Sequence, residues 1–199
     1  MAFFIGKREK AESPRKKTGP SGKHAAKDKE ECCPDNPCLI LLRRAAIAER
    51  KAILFYLGSA VECCELHDLF LAIAEDEMRH FIMIMRLIAR FDPVQAAAFE
   101  AAGLDFLTMG RAMPPKWAKE YQPEYGEIPP AQRQMCCLAL LSHAISDELS
   151  AINDYQAFME ETASEACRDL FCELMNDEKE HVACLTAAML EMSDEPRLD

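Results

Sequence analysis

From about residue 38 onward, apolar side chains recur at three- and four-residue steps, the period of helices that each bury one face. Leu42, Ala45, Ala46, Glu49, Ala52, Ile53 and Tyr56 form the first stripe. After a break near 62–65, Phe70, Ile73, Glu77, His80, Ile84 and Leu87 form the second, which stops before Asp92-Pro93. Residues 94–102 read as a short helix, with Gly103 suited to its C-cap. A third long stripe begins near Ala131 and carries Leu141, Ala144, Ile145, Glu148, Ala151, Ile152 and Tyr155. Beyond a break near 162–164, Phe171, Leu174, Glu178, His181, Leu185 and Ala188 form the fourth. The pattern predicts an all-α fold: a four-helix bundle spanning 38–193, built from two repeated helix pairs with a long crossover at about 92–130. Five prolines at 113–130, with Trp117, Tyr121 and Tyr125 among them, predict that this crossover is ordered and packed by aromatics.

The two pairs repeat in detail. Asp76-Glu77-Met78-Arg79-His80 returns as Asp177-Glu178-Lys179-Glu180-His181, each preceded at the same distance by Asp-Leu-Phe. Upstream, Glu49-x-x-Ala52-Ile53-x-x-Tyr56 returns as Glu148-x-x-Ala151-Ile152-x-x-Tyr155. A repeat of this length is a duplicated structural unit. Its shared polar positions sit inside apolar stripes, where a carboxylate needs a partner. Glu49 and Glu77 are nearly equidistant from the first turn, and Glu148 and Glu178 from the second. All four carboxylates and both histidines are therefore expected at one level of the bundle.

Carboxylates that meet in an apolar core repel one another and lose several kcal/mol each in hydration. Two divalent cations cancel four negative charges. Glu and His three residues apart lie on one helix face one turn apart, so each such helix offers a bridging carboxylate and an imidazole. Two helices bearing Glu and two bearing Glu-x-x-His form the ligand pattern of di-iron and di-manganese carboxylate bundles. The candidate metal ligands are Glu49, Glu77, His80, Glu148, Glu178 and His181. Tyr56 and Tyr155 lie about 10.5 Å along the axis from the Glu of their own helices, too far to ligate from there. They read as core aromatics with a possible hydrogen-bonding or redox role beside the site. His67 and His143 read as ordinary residues, and Met83, Met85, Met175 and Met189 as packing.

Residues 1–37 are different material: basic, rich in Pro, Gly and Ser, and expected to be a disordered tail whose sharper role is contact with an acidic partner. Residues 194–199 are expected to be a short C-terminal tail. The formal net charge of −11 argues against wholesale nucleic-acid binding by the folded part. No apolar run reaches the about 18 residues of a membrane span. The opening residues lack a secretory signal, so the ten cysteines are expected as reduced, mostly buried thiols in a cytoplasmic protein. Cys32, Cys33 and Cys38 lack paired C-x-x-C spacing and make a weak metal knuckle.

From about 39 to 192 the chain resembles the ferritin-like superfamily, closest to its rubrerythrin-like branch. The residues that carry the likeness are Glu49, Glu77-x-x-His80, Glu148 and Glu178-x-x-His181. The resemblance implies that Glu77 and Glu178 bridge two metals, Glu49 and Glu148 are terminal, and each His binds one ion. It also implies that Asp76 holds His181 and Asp177 holds His80 through the free ring nitrogen. The residues after the helices carry no rubredoxin-like paired C-x-x-C, so the electron donor is expected to differ from that of a full rubrerythrin. The implied cofactor is two iron ions, with two manganese ions as the alternative. The implied activity is oxidation of Fe²⁺ by dioxygen or peroxide, as a ferroxidase or peroxide reductase. The alternatives are a di-manganese catalase, a demethoxyubiquinone-type hydroxylase and a non-enzymatic iron store. A homo-oligomer is expected, because ferritin-like bundles usually associate.

Overall fold

In the computed structural model, residues 36–108 and 130–194 are described. They form five α-helices and two 3₁₀ turns, with no strand among them. The helices are α1 (Cys38–Glu62), α2 (His67–Phe91), α3 (Pro93–Ala101), α4 (Pro130–Glu161) and α5 (Glu165–Asp194). Residues 1–35 of the basic tail, 109–129 of the crossover and 195–199 of the C-terminal tail lie outside the described residues.

Local chemistry sets the boundaries. α1 stops at Cys63, whose backbone is extended, and the 3₁₀ turn Cys64–Leu66 leads directly into α2. Asp92 ends α2 and caps α3, its side chain accepting from the Gln95 N–H at 3.1 Å, with Pro93 at the first helical position. The same carboxylate takes Arg43 at 2.9 Å, tying the end of α2 to the start of α1. Gly103 follows α3 at φ +76°, a left-handed conformation open to Gly without a Cβ clash. Ser164 Oγ accepts from the Cys167 N–H at 3.4 Å and starts α5.

α1 packs chiefly along α2, and α4 along α5. Both pairs are antiparallel: Arg43 meets Asp92, and Gln134 near the start of α4 reaches the Met192 carbonyl near the end of α5 at 2.6 Å. All four long helices feed two apolar clusters. One holds Leu42, Ala45, Ile84, Ile88, Phe158, Phe171 and Leu174; the other holds Tyr56, Ala60, Phe70, Ile73, Leu141, Ala144 and Leu185. In each long helix the buried Glu and His residues fall between the positions given to the two clusters, so a carboxylate–imidazole layer divides the apolar interior. Each fully buried Leu, Ile or Phe contributes about 1.5–3 kcal/mol, and that burial holds the polar layer in place.

Two expectations are corrected. The buried cysteines are not reduced thiols. Cys38 is bonded to Cys167 across 6.7 Å between Cα atoms, and Cys63 to Cys137 across 5.4 Å. Burial of most cysteines was expected, but only helix docking brings these sulfurs together. The free thiols described, Cys64, Cys136, Cys172 and Cys184, lie at or near the surface instead. Cys38 is thus spent in a crosslink rather than a metal knuckle. In addition, α4 is long and apolar enough, by length and composition, to cross a membrane. Packed against α5, it delivers Glu148 and Tyr155 to the interior.

Candidate metal centre

Glu49, Glu77, His80, Glu148, Glu178 and His181 are all buried, none more than 6% exposed. They converge from α1, α2, α4 and α5. Their ligand atoms form two overlapping nests, Glu49/Glu77/His80/Glu178 and Glu77/Glu148/Glu178/His181, each with its atoms within 4.8 Å of one another. Glu77 and Glu178 belong to both nests. Each nest adds one further Glu and one His.

The imidazoles point the same way. His80 Nδ1 lies 3.6, 3.4 and 3.3 Å from carboxylate oxygens of Glu49, Glu77 and Glu178. His181 Nδ1 lies 3.2, 3.7 and 2.8 Å from those of Glu77, Glu148 and Glu178. Both Nε2 atoms face outward to an Asp of the opposite repeat. Asp177 meets His80 at 3.2 Å, and Asp76 approaches His181 at 3.7 Å. Residues expected to pair across the repeat therefore do so, more tightly at Asp177. Arg79 escaped the sequence reading. It spans both aspartates, 3.3 Å from Asp76 and 3.0 Å from Asp177. The signal was available: its repeat counterpart is Glu180, so the two copies differ in charge at this position.

Tyr56 and Tyr155 do more than pack. Tyr56 donates its hydroxyl to Glu148, and Tyr155 donates to Glu49. Each is too far from the Glu on its own helix, yet the antiparallel arrangement of α1 and α4 sets it against the Glu of the other half. His67 Nδ1 lies 2.8 Å from the Ala60 carbonyl at the α1–α2 turn, and His143 sits on the surface 3.4 Å from Asp147. Neither reaches the carboxylates.

Electrostatics show what the layer demands. Burial pushes the Glu49 carboxyl well above its usual range, with Glu77 adding to the rise. Burial and the charges of Glu77 and Glu178 push Glu148 up to about 7, against a hydrogen bond with His181. Burial works to raise Glu77 as well, but hydrogen bonds with Glu49, His181 and His80 outweigh it and hold the group well below the usual range. Burial alone would lower both histidines. Hydrogen bonds with Glu178, Glu49 and Glu77 instead raise His80 strongly, and those with Glu148, Glu178 and Glu77 raise His181 to about 12. Protons on Glu49, Glu148, His80 and His181 thus do in the metal-free layer what cations would do. Even so, the contacts of Glu77 Oε1 and His80 Nδ1 are loose: both atoms are buried and make no well-formed hydrogen bond, with Glu77 Oε1 3.2 Å from His181 Nδ1 and His80 Nδ1 3.3–3.6 Å from three carboxylates. Buried polar atoms so loosely satisfied, together with an oxygen-rich donor set and two imidazoles, fit a pair of divalent metals of the iron or manganese kind.

A groove of about 630 Å³ opens between α1 and α4 and reaches Glu49, Glu77, Glu148 and Glu178. Its walls include Ala48, Ala52 and Ala151, whose small side chains leave the carboxylate side of the layer accessible. Neither His80 nor His181 lines it, whereas His143 does. No family model matches the chain, and neither a curated protein nor a solved structure matches it.

Proposed function

We propose that this protein is a ferritin-like, rubrerythrin-like four-helix bundle that holds two iron ions and oxidises Fe²⁺ with dioxygen or peroxide. One observation carries the reading: two four-residue nests that share Glu77 and Glu178. A mononuclear site would need neither the shared carboxylates nor the second imidazole. Glu77 and Glu178 would hold both ions, Glu49 and His80 one of them, Glu148 and His181 the other. Iron so held would supply the electron exchange with dioxygen or peroxide.

The chain's own residues do the rest. Asp177 and Asp76 orient the imidazoles so that Nδ1 faces inward, and Arg79 holds the two aspartates. The Tyr56 and Tyr155 hydroxyls steady the two terminal carboxylates and keep a proton beside each. The apolar clusters on either side exclude water, and the groove between α1 and α4 admits a small oxidant on the carboxylate side.

The groove favours one second reading. At about 630 Å³ it has room for an organic molecule, as a hydroxylase would need. The same ligands would suit two manganese ions in a catalase, and metal analysis of untreated protein decides between the metals. We place the protein in the cytoplasm as part of this proposal. Alkylation of thiols in unbroken cells tests that, because cytosolic thiols are mostly kept reduced whereas four of these cysteines are paired.

The test of the function is Fe²⁺ oxidation by dioxygen and by peroxide. Wild-type protein should bind about two irons and turn over repeatedly. Accumulation of many irons per chain would indicate storage instead. Oxidation at the wild-type rate by Glu77→Ala, with two irons still bound, would overturn the assignment.

A further inference from the structure

The two disulfides lie in different surroundings. Cys38–Cys167 is buried in the apolar cluster that also holds Leu42, Phe158 and Phe171. At the opposite end, Cys63–Cys137 has a carboxylate against it. Glu65 Oε2 lies 3.9 Å from Cys63 Sγ, 3.6 Å from Cys137 Sγ and 3.2 Å from the free Cys64 Sγ. Its other oxygen meets Arg133 at 3.4 Å, and the same guanidinium nitrogen lies 3.9 Å from Cys64 Sγ.

A disulfide sulfur carries no proton. In the bonded state Cys63 and Cys137 therefore have nothing to donate to Glu65, and the contacts are between lone pairs. The Glu65 side chain is 41% exposed and could turn to water instead. The arrangement makes chemical sense for the other redox state. Reduced, Cys63 and Cys137 would join Glu65 in an S, S, O donor set; in the bonded state Glu65 Oε2 already lies 3.6–3.9 Å from both sulfurs and 3.2 Å from the Cys64 sulfur. Cys63, Cys64 and Glu65 are consecutive residues of the turn between α1 and α2, and Cys137 comes from α4, so two anchored segments bring the donors together.

We propose that Cys63, Cys137, Glu65 and Cys64 form a redox-gated thiolate site for a borderline-soft divalent cation of the zinc class, separate from the carboxylate layer. Thiolate-rich donors with one carboxylate select such a cation over the hard ions that suit the carboxylate layer. An external dithiol passes two electrons and two protons to the Cys63–Cys137 bond and becomes a disulfide itself. The cation then displaces the thiol protons as it binds. A small-molecule disulfide accepts two electrons from the two thiolates and leaves as two thiolates, which re-forms the Cys63–Cys137 bond and releases the cation. A bound cation and the disulfide exclude one another.

Cobalt(II) distinguishes this site, because only thiolate ligation gives intense sulfur-to-cobalt charge-transfer absorption. The full-length protein is titrated with Co²⁺ with and without prior reduction by a dithiol, and Zn²⁺ is then added. The expected result is a charge-transfer band in reduced protein alone, saturating at about one ion per chain and removed by Zn²⁺. Cys137→Ser should abolish the band, Glu65→Ala should weaken Zn²⁺ binding at least about tenfold, and Cys38→Ser should retain the band. Helicity by circular dichroism checks that each variant is folded. Should Cys137→Ser misfold, Cys64→Ser, at the partly exposed turn position, supplies the same reading through a changed band. Reduced wild-type protein with no band overturns the proposal, as does a band unchanged in folded Cys137→Ser and Cys64→Ser. The carboxylate ligands give no such band, so the iron-centre reading stands or falls separately.

Discussion

Stripping metal from this protein should make it more stable in mild acid than at neutral pH, opposite to the loaded form. A carboxyl whose pKa is higher folded than unfolded takes up its proton on folding between the two values, so stability rises as pH falls through that window. Glu148 moves from 4.5 to about 7. At about 1.4 kcal/mol per pH unit, this group alone contributes about 3 kcal/mol between pH about 7 and about 4.5. Glu49, also raised, acts in the same direction. So do His80 and His181: their raised folded values stabilise the protonated state, and that contribution is complete only below the unfolded value of 6.5. Glu77 opposes them, but its lowered value matters only as pH falls below 4.5. For a chain of this size, about 3 kcal/mol corresponds to a rise in Tm of about 6–12 °C. The assay is thermal unfolding of chelator-treated, non-reduced protein, followed by circular dichroism at several pH values from about 8 to about 5. Metal-loaded protein should lose stability over the same range, because protons compete with metal for Glu and His. Glu148→Gln should flatten the metal-free profile. A metal-free Tm that stays constant or falls between pH about 8 and about 5 would refute the reasoning.

Other outcomes follow from named contacts. Glu77→Ala and Glu178→Ala should be similarly harmful, each reducing bound iron from about two ions to below about one by elemental analysis, because each residue serves both nests. Asp177→Ala should cost about 10–100-fold in metal affinity and Asp76→Ala less, since Asp177 stands 3.2 Å from its histidine and Asp76 3.7 Å; equal effects would show that this difference in distance does not matter. Tyr155→Phe leaves a buried Glu49 oxygen without its donor and should destabilise metal-free protein by about 1–3 kcal/mol in urea unfolding. Replacing Cys38 and Cys167 together by Ser should cost about 2–5 kcal/mol in the same assay, given the 129-residue separation that the bond closes.

The duplicated stripes determined the four long helices, their ends and the six buried Glu and His residues. The reason is periodicity: a carboxylate placed in an apolar stripe at a fixed distance from a turn must be buried at a fixed depth, whatever lies opposite. Glu49 and Glu148 were legible for that reason. What lies opposite was not legible. The hydroxyl of Tyr56 belongs to Glu148 and that of Tyr155 to Glu49 only because α1 and α4 run antiparallel at one register. Arg79 spans Asp76 and Asp177, residues about one hundred positions apart. The cysteines make the same point most sharply. That most are buried was expected from the sequence, but the bonding of Cys63 to Cys137 rather than to another sulfur depends on which helix ends meet. A one-dimensional pattern contains the direction in which each side chain faces, while partnership is a property of docking, set by the shapes of the two apolar clusters.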